Sequence, residues 1–311
     1  MLAAARAEFA EHGYRDATID RIAARADLTR GAVYSNFPGK RALYFSTLIP
    51  QPDASAPDFA SLVSRPGRAA AQQSVSTAER LAAFATAWLE HEHPGPEVVP
   101  ELADVGTPYA GLLGLNAVLL GDSLDQLEPG HLGRMIGISR LALTLLTGAT
   151  QLSSAPGFVQ PLAIARACAH LADLDPPDPW VPPPTTPPVR PAVDEQADFD
   201  GIVAVLGLDR LSAAEDVVRT TTAPTTIALV SSSPDELGPL ARYTTGTLLD
   251  CLQQSLPRVR IVHDEAGVLA SAVGCDVIGD TLEYAVSVMN GRIVARAEGF
   301  GAAWAIARAS A

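Results

Sequence analysis

Residues 28–43, which read LTRGAVYSNFPGKRAL, collect side chains that can bind an anion. Arg30, Lys40 and Arg41 supply cationic hydrogen-bond donors, and hydroxyl and amide groups lie between them. Lys40 is the only lysine of the chain. The apolar residues of this segment have spacings that allow them to face inward, and they are Leu28, Val33, Tyr34, Phe37 and Leu43. The segment therefore predicts a surface that binds phosphate oxygens and base edges, held by a small core.

Helix-capping signals place this segment in a pair of short helices. A first helix is predicted to end at Gly13, and Thr18 is placed to cap a second helix whose apolar residues repeat at helical spacing. Thr29 can cap a third helix, which Pro38 and Gly39 end. Two short helices across a tight turn form a helix-turn-helix, whose second helix enters the major groove of DNA.

The outward side of the third helix supplies the candidate DNA contacts. Arg30 can donate two hydrogen bonds to a guanine, and the small Gly31 and Ala32 let the backbone approach the duplex. Hydroxyl groups and the Lys40 ammonium suit phosphate oxygens, which fix the register of a protein on DNA. The predicted DNA-binding residues are Thr18, Thr29, Arg30, Gly31, Ala32, Tyr34, Ser35 and Lys40. Two alternatives stay open: the cluster is ordinary solvated surface, or Tyr34 is mainly a packing residue with an exposed hydroxyl.

Charge is distributed unevenly along the 311 residues, whose net charge is -13. Residues 1–50 carry seven basic and five acidic side chains, whereas the remainder carries 15 basic and 30 acidic ones. The total argues against a general polyanion binder, and the asymmetry favours a DNA-binding part at the N-terminus. The length predicts at least two domains.

The chain is expected to be a soluble cytoplasmic protein. Its three cysteines are odd in number and far apart, which suits a reducing compartment and argues against a disulfide framework. The N-terminal residues carry early charges and no long apolar region, unlike a signal peptide. The longest apolar run, near 109–121, is shorter than the roughly 20 residues that a membrane-spanning helix needs.

The segment FAEHGYRDATIDRIAARADLTRGAVYSNFPGKRAL resembles the DNA-binding domain of the TetR family of transcriptional regulators, and the likeness runs from Ala4 to about Leu48. The resemblance implies a homodimeric repressor whose helical second domain binds a small-molecule effector and dimerises through its last two helices. Those would be residues 130–149 and 159–174. Family members usually carry a basic arm ahead of the first helix. This sequence starts almost inside that helix, so either the native start lies upstream or the contacts of that arm are lost.

Composition divides the remainder of the chain. The expected architecture is a multidomain fold with an all-α helix-turn-helix domain (1–49), a helical ligand-binding and dimerisation domain (50–175), a Pro-rich linker (176–195) and an α/β domain (196–311). Residues 50–75 are predicted to be a long loop. Helices are expected to start at Ser76 or Thr77 and to include roughly 108–120. The dense prolines of the linker predict an extended, semi-rigid spacer.

Aromatic and amide side chains of the helical domain are candidates for an effector pocket, because such pockets combine an apolar lining with a few polar groups. The predicted ligand-binding residues are Phe84, Trp88, Tyr109, Leu112 and Asn116. The alternative is that these residues form plain core. His91 and His93 are two positions apart, so on a helix they point in different directions, and we expect a solvated helix end and no metal site.

Strands, helices and a hairpin over residues 200–311 resemble a thioredoxin-like fold of the peroxiredoxin type. The Asn290-Gly291 pair predicts the hairpin turn. Ser231–Ser233 stand where the family's reactive cysteine is expected, no Cys-x-x-Cys is present, and Asp280–Leu282 lack the expected cis-proline. The domain is therefore predicted to be non-catalytic.

The sequence predicts a TetR-like regulator that binds double-stranded DNA as a homodimer, without enzymatic activity, metal, cofactor or membrane. A small-molecule effector is expected to release it, as a repressor, from a pseudo-palindromic operator. The alternatives are a thioredoxin-fold thiol enzyme or a redox-sensing regulator that uses Cys275, whereas Cys251 is expected to be buried filler.

Overall fold

A computed structural model gives the fold of most of the chain. It describes residues 1–49, 75–95, 98–192, 199–252 and 257–310. The loop predicted over 50–75 lies outside the described residues except for Val75, and so do residues 193–195 of the predicted linker.

The N-terminal residues form four helices around a compact core. These are α1 (Leu2–Asp16), α2 (Ile19–Arg25), α3 (Arg30–Tyr34) and α4 (Lys40–Leu48). The helical conformation of α1 is interrupted at Gly13, where the sequence predicts its end: Gly13 has a φ of 70° and a ψ of 169°, and a short helical turn follows it to Asp16. Both predicted caps are confirmed: the Thr18 hydroxyl accepts from the Arg21 N–H and the Thr29 hydroxyl from the Ala32 N–H.

The helical domain contains the expected helices with small shifts in their bounds. They are α5 (Thr77–Glu90), α6 (Val99–Val105), α7 (Thr107–Asp125), α8 (Leu132–Leu152) and α9 (Pro161–His170), followed by a 3₁₀ turn (Leu171–Asp173). Ser76 caps α5 in a capping box with Glu79. By length and composition α8 is long and apolar enough to cross a membrane, and 44% of its most apolar stretch is buried inside the protein.

The C-terminal domain is a mixed sheet covered by helices. Its strands are β1 (Arg190–Pro191), β2 (Gly201–Gly207), β3 (Thr225–Val230), β4 (Val259–His263), β5 (Glu283–Met289) and β6 (Arg292–Glu298), in the order β1-β6-β5-β2-β3-β4. Its helices are α10 (Ala213–Thr220), α11 (Pro234–Leu252), α12 (Val268–Ala272) and α13 (Ala302–Ala309). Strands β2, β3 and β4 are parallel, and the hairpin β5–β6 pairs antiparallel with β2. This establishes an α/β sheet domain, and its thioredoxin-like identity stays a prediction.

The predicted hairpin turn is confirmed at Asn290 and Gly291. Their φ values are 53° and 68°, the left-handed conformation that a tight hairpin turn requires and that asparagine and glycine tolerate best.

The helical and α/β domains share one hydrophobic core. Residues Leu115–Asp125 of α7 are buried without interruption, which is the pattern of a helix covered on all sides. On one side Gly121 lets α7 approach α8, because a Cβ there would lie 2.9 Å from the Ile136 Cα. On the other side the Leu208 carbonyl of the α/β domain approaches Gly111.

The Pro-rich segment contains neither helix nor strand over residues 174–189, and it does not hold the domains apart. Pro176 packs on Gly137 of α8, and Asp178 accepts two hydrogen bonds from Arg219, at 2.8 and 2.9 Å. The Trp180 indole donates to Asp216 of α10. The segment therefore runs along the joined surface of both domains.

An ion pair between a buried carboxylate and a partly exposed arginine fastens the two domains together. Asp122 of α7 is fully buried and accepts hydrogen bonds from the Arg258 backbone N–H at 2.5 Å and from its Nε at 2.8 Å. Asp125 lies 3.5 Å from the same guanidinium. Arg258 directly precedes β4, so the contact ties the central helix of one domain to the sheet of the other.

We predict that Asp122→Ala lowers stability by about 1.5–3 kcal/mol, because it removes the charge-assisted hydrogen bonds that the Arg258 backbone N–H and Nε donate to a buried carboxylate. In a thermal melt of the full chain this corresponds to a midpoint roughly 5 °C lower. Asp173→Ala is the matched control, since the Asp173 side chain is 83% exposed. Equal midpoints for the two variants would show that the pair does not fasten the domains.

Candidate functional sites

The exposed edge of α3 brings most of the predicted DNA-binding residues onto one surface. Of α3 only Val33 is buried, at 1% exposed, where it packs into the core of the N-terminal helices. The exposed members of the predicted set are Thr18, Thr29, Arg30, Gly31, Tyr34 and Ser35, and the half-buried ones are Ala32 and Lys40. The edge is thus built from small and hydrogen-bonding side chains.

Two of the residues expected to face inward do not. Leu28 is 40% exposed and Tyr34 is 44% exposed, whereas Val33 and Leu43 are buried as expected and Phe37 is half-buried. The reason is the helical rotation of about 100° per residue, which turns Tyr34 away from the core once Val33 faces it.

Arg30 contacts Tyr34 and Asp20 and remains accessible to solvent. Its guanidinium lies 5.5 Å from the centre of the Tyr34 ring and 3.5 Å from the Asp20 carboxylate, and 61% of its side chain is exposed. The hydrogen bond with Tyr34 and the charge of Asp20 raise the pKa of Arg30, so the group stays cationic. Its position at the first turn of α3 points a forked donor away from the protein core.

Lys40 lies beside the start of α2. Its ammonium donates to the carbonyls of Arg15 and Ala17, both at 3.1 Å, and lies 4.6 Å from the centre of the Tyr14 ring. Ala17 directly precedes the capping Thr18. The one lysine of the chain therefore fixes the end of α1 and places a positive charge where α2 begins.

The other arginines near this edge are already paired. Glu8 of α1 is fully buried, and it binds the Arg21 Nε at 2.7 Å and the Arg25 Nη2 at 3.3 Å. Arg25 also binds Glu11 at 2.6 Å. These contacts hold α2 against α1 and leave Arg30 as the more accessible charge of the edge.

Gly31 is not required by the packing of the protein. A Cβ at this position would meet only the Thr29 hydroxyl oxygen, at 3.8 Å. A glycine on an exposed helix turn costs stability relative to alanine and is usually explained by a close approach of another molecule. The open space beside Gly31 lies on the same edge as Arg30.

A cavity of about 630 Å³, counted with its opening to solvent, lies between the helical and α/β domains. Its described lining residues are Trp88, His93, Pro94, Gly95, Val99, Leu102, Tyr109, Leu113, Asn116, Thr147, Thr150, Gln151, Leu240, Tyr243, Thr244 and Thr247. Of the predicted ligand-binding residues, Trp88, Tyr109 and Asn116 line it. Phe84 and Leu112 do not line it and are buried core residues. The Phe84 ring packs against Trp88 at a tilt of 46°, with the ring centres 5.8 Å apart.

Two polar atoms of the lining are buried without a hydrogen-bond partner among the described residues: the Asn116 Oδ1 and the Trp88 Nε1. The other end of the Asn116 amide donates to the Thr244 carbonyl of α11 at 2.9 Å, which fixes the orientation of the side chain. Burial raises the pKa of Tyr109 and of Tyr243, so both phenols are neutral hydrogen-bond donors and acceptors.

His91 and His93 do not form the solvated helix end that the sequence suggested. Helix α5 ends at Glu90, and both imidazoles pack against α11, with His93 3.5 Å from the Tyr243 hydroxyl and His91 3.4 Å from the Thr247 hydroxyl. Burial lowers the pKa of His93, which keeps it neutral. Within the described ranges, no group of three or more His, Cys, Asp or Glu could hold a metal ion.

The sequence did not reveal the wall of the cavity that α11 supplies. Leu240, Tyr243, Thr244 and Thr247 lie at least 89 residues after the other lining residues, the last of which is Gln151. The stretch YTTGT was recognisable as helical and partly polar, but no local signal shows which surface of another domain it meets.

The cysteines are poorly placed for thiol chemistry. Cys275 is 6% exposed, its sulfur contacts the Val277 carbonyl oxygen at 3.7 Å, and burial raises its pKa. Cys251 is buried as expected, and burial raises its pKa to about 12. Reactive cysteines are thiolates in accessible, electropositive surroundings, so neither thiol has the expected setting. The Ser231 hydroxyl donates to Asp280 at 2.7 Å before the start of α11.

Comparison with known families agrees with the geometry of the N-terminal helices. Residues 1–47 match the family described as bacterial regulatory proteins, tetR family. This range contains α1, α2, α3 and most of α4, and the match supports a DNA-binding domain of the kind found in TetR-family transcriptional regulators. Searches of curated proteins and of solved structures found no match.

We predict that Gly31→Ala stabilises the protein by about 0.5 kcal/mol, because alanine loses less conformational freedom in a helix and meets open space here. Thermal melts of the two proteins under matched buffer would show a midpoint equal to or slightly above that of the parent. A clear drop would mean that the backbone at Gly31 needs glycine for folding, and the argument for an approaching partner would fail.

Proposed function

We propose that the protein is a TetR-like repressor that binds a pseudo-palindromic DNA operator as a homodimer and leaves it when a small molecule binds the interdomain cavity. The observation that carries the proposal is the exposed edge of α3, where Arg30 and the open backbone at Gly31 lie beside each other on a capped helix. The family match of residues 1–47 supports the same reading.

Docking of α3 in the major groove assigns roles to the edge. Arg30 leaves the exposed Asp20 and donates two hydrogen bonds to one guanine, the commonest specific contact of this kind. Gly31 and Ala32 allow the helix to approach the bases. The hydroxyls of Thr18 and Tyr34 and the Lys40 ammonium bind phosphates and fix the register.

Exposed leucines support a homodimer through α8 and α9. Leu141 and Leu152 on α8 are 41% and 49% exposed, and Leu162 on α9 is 66% exposed. Phe158, between the two helices, is 68% exposed. A two-fold interface on these helices would set two α3 edges about one turn of DNA apart, roughly 34–36 Å, so the operator would have two symmetric half-sites.

Helix α11 offers a route from the cavity to the DNA-binding helices. Its residues 240–247 line the cavity, and its first turn carries Glu236, which binds Arg41 of α4. Arg41 also binds Asp104 of α6 at 3.2 Å. A ligand that favours a different position of α11 would shift α4, and it releases DNA only to the extent that it binds the two positions with different affinity.

The α/β domain acts in this proposal without catalysis. Support comes from the burial of Cys251 and Cys275 and from the serines at the start of α11, where a thiol enzyme would need an accessible thiolate. The domain instead completes the effector cavity. The location we propose is the cytoplasm, where a repressor meets its operator.

Selection from random duplexes with the purified full chain tests the function. We expect enrichment of a pseudo-palindrome whose half-sites are centred about 10 base pairs apart or a multiple of that. Absence of enrichment at low ionic strength would contradict DNA binding, and enrichment of an asymmetric site would contradict the two-fold arrangement.

On a selected duplex, we predict that Arg30→Ala weakens binding about 5- to 150-fold and relaxes preference at one base position, because one bidentate contact is lost. Lys40→Met is expected to weaken all duplexes alike and to reduce the salt dependence by about one charge. Fluorescence anisotropy at several salt concentrations measures both effects.

Arg190→Ala is the control for these variants, since Arg190 is exposed on β1, away from the α3 edge and from helices α8 and α9. Its duplex affinity should equal that of the parent. If Arg30→Ala also kept full affinity and base preference, the assignment of α3 as the reading helix would be wrong.

We predict that Leu141→Glu and Leu162→Glu convert the dimer to a monomer, because each buries a charge in an apolar interface. Sedimentation velocity at micromolar concentration gives the mass directly. Val277→Glu, at a position 74% exposed in the α/β domain, should remain dimeric. A parent that sediments as a monomer, or leucine variants that stay dimeric, would refute this interface.

A further inference from the structure

The cavity is a joint product of two domains. Trp88, Tyr109 and Asn116 come from helices α5 and α7, whereas Tyr243 and Thr247 come from α11 of the α/β domain. A hydrogen bond joins the two walls at the buried part of α7: the Asn116 side-chain amide donates to the Thr244 carbonyl at 2.9 Å. A ligand in this space therefore contacts both domains at once.

Two buried polar atoms of the lining residues have no hydrogen-bond partner in the part of the chain that the structure describes, and a ligand that reaches them can bond to each. Asn116 is 1% exposed and Trp88 is 7% exposed, so neither the amide oxygen nor the indole N–H of these side chains reaches bulk water. A buried polar atom without a partner costs about 1–3 kcal/mol. A ligand that donates to the Asn116 Oδ1 and accepts from the Trp88 Nε1 recovers that cost.

The described residues of the lining offer no partner for a charge. Among the described residues around the cavity there is no Asp, Glu, Lys or Arg, and burial lowers the pKa of His93, so that it is neutral near pH 7. A charged group taken from water needs an opposite charge or several hydrogen bonds to offset its lost hydration. The rings of Trp88, Tyr109 and Tyr243 instead suit a flat apolar body.

We propose that the cavity binds an uncharged small molecule with an apolar, partly aromatic body, which donates a hydrogen bond to Asn116 and accepts one from Trp88, and that α11 closes this site. The space between the two domains, counted with its opening to solvent, encloses about 630 Å³. That the bound molecule acts as an effector rests on the proposed function. The chemistry of binding is argued from the cavity alone.

A matched pair of fluorescent probes tests the chemistry without DNA. N-Phenyl-1-naphthylamine is neutral and carries one N–H donor, whereas 8-anilino-1-naphthalenesulfonate has the same rings with an added anionic group. We expect the neutral probe to bind the full chain saturably, one per protomer, with enhanced and blue-shifted emission. The sulfonate should bind at least about tenfold more weakly, since it must be desolvated without a cationic partner.

Variants locate the site. Thr247→Phe fills the cavity from α11 and should weaken the neutral probe at least tenfold. Asn116→Leu removes the acceptor and should weaken it about fivefold, the effect of one hydrogen bond. Val277→Phe adds the same ring at an exposed position and should bind the probe like the parent.

Quenching of protein fluorescence by the neutral probe should disappear in Trp88→Phe and persist in Trp180→Phe, which locates the probe even if Thr247→Phe does not fold.

Equal affinity for the two probes would overturn the assignment of an uncharged ligand. Unchanged binding in a folded Thr247→Phe, or quenching that survives Trp88→Phe, would overturn the location. Because these measurements contain no DNA, a protein that binds the probe but selects no duplex would refute the proposed function and leave the site standing.

Discussion

The carboxylate of Asp122 cannot stay buried in α7 without Arg258, and this pair makes one body of the helical and α/β domains. The helix around Asp122 is covered on every side, by α8 and by the α/β domain. Because a buried carboxylate needs a partner that is hydrogen-bonded in a fixed geometry, the start of β4 is fixed relative to α7. The Asn116–Thr244 hydrogen bond and the approach of Leu208 to Gly111 join the same two domains, and the walls of the cavity depend on the relative position that these contacts share.

As a consequence, α11 contacts two different parts of the molecule, the cavity and the N-terminal helices. Its middle turns face the cavity, and its first turn reaches Arg41 of the DNA-binding helices through Glu236. The Pro-rich segment, which lies along both domains, adds Asp178 and Trp180 to the same surface. The C-terminal domain is therefore integral to the molecule and is not a module carried at the end of a tether.

Local signals predicted the N-terminal helices well, since the caps at Thr18 and Thr29 and the periodic apolar residues act within one or two turns. They also predicted the hairpin at Asn290. They failed where distant parts of the chain decide the outcome. Tyr34 faces out because Val33 already fills the core. The positions of the His91 and His93 imidazoles, and the cavity wall formed by Tyr243, depend on packing between domains. Sequence spacing does not encode that packing.

Hydrogen–deuterium exchange of the full chain, with and without a duplex obtained by selection, tests most directly whether the α3 edge contacts DNA. The account predicts that the duplex slows exchange in peptides that cover residues 18–40, with the strongest effect across Arg30–Tyr34. Peptides from β5 and β6 should exchange at the same rate in both samples. Protection confined to the α/β domain, with residues 18–40 unaffected, would contradict the central claim.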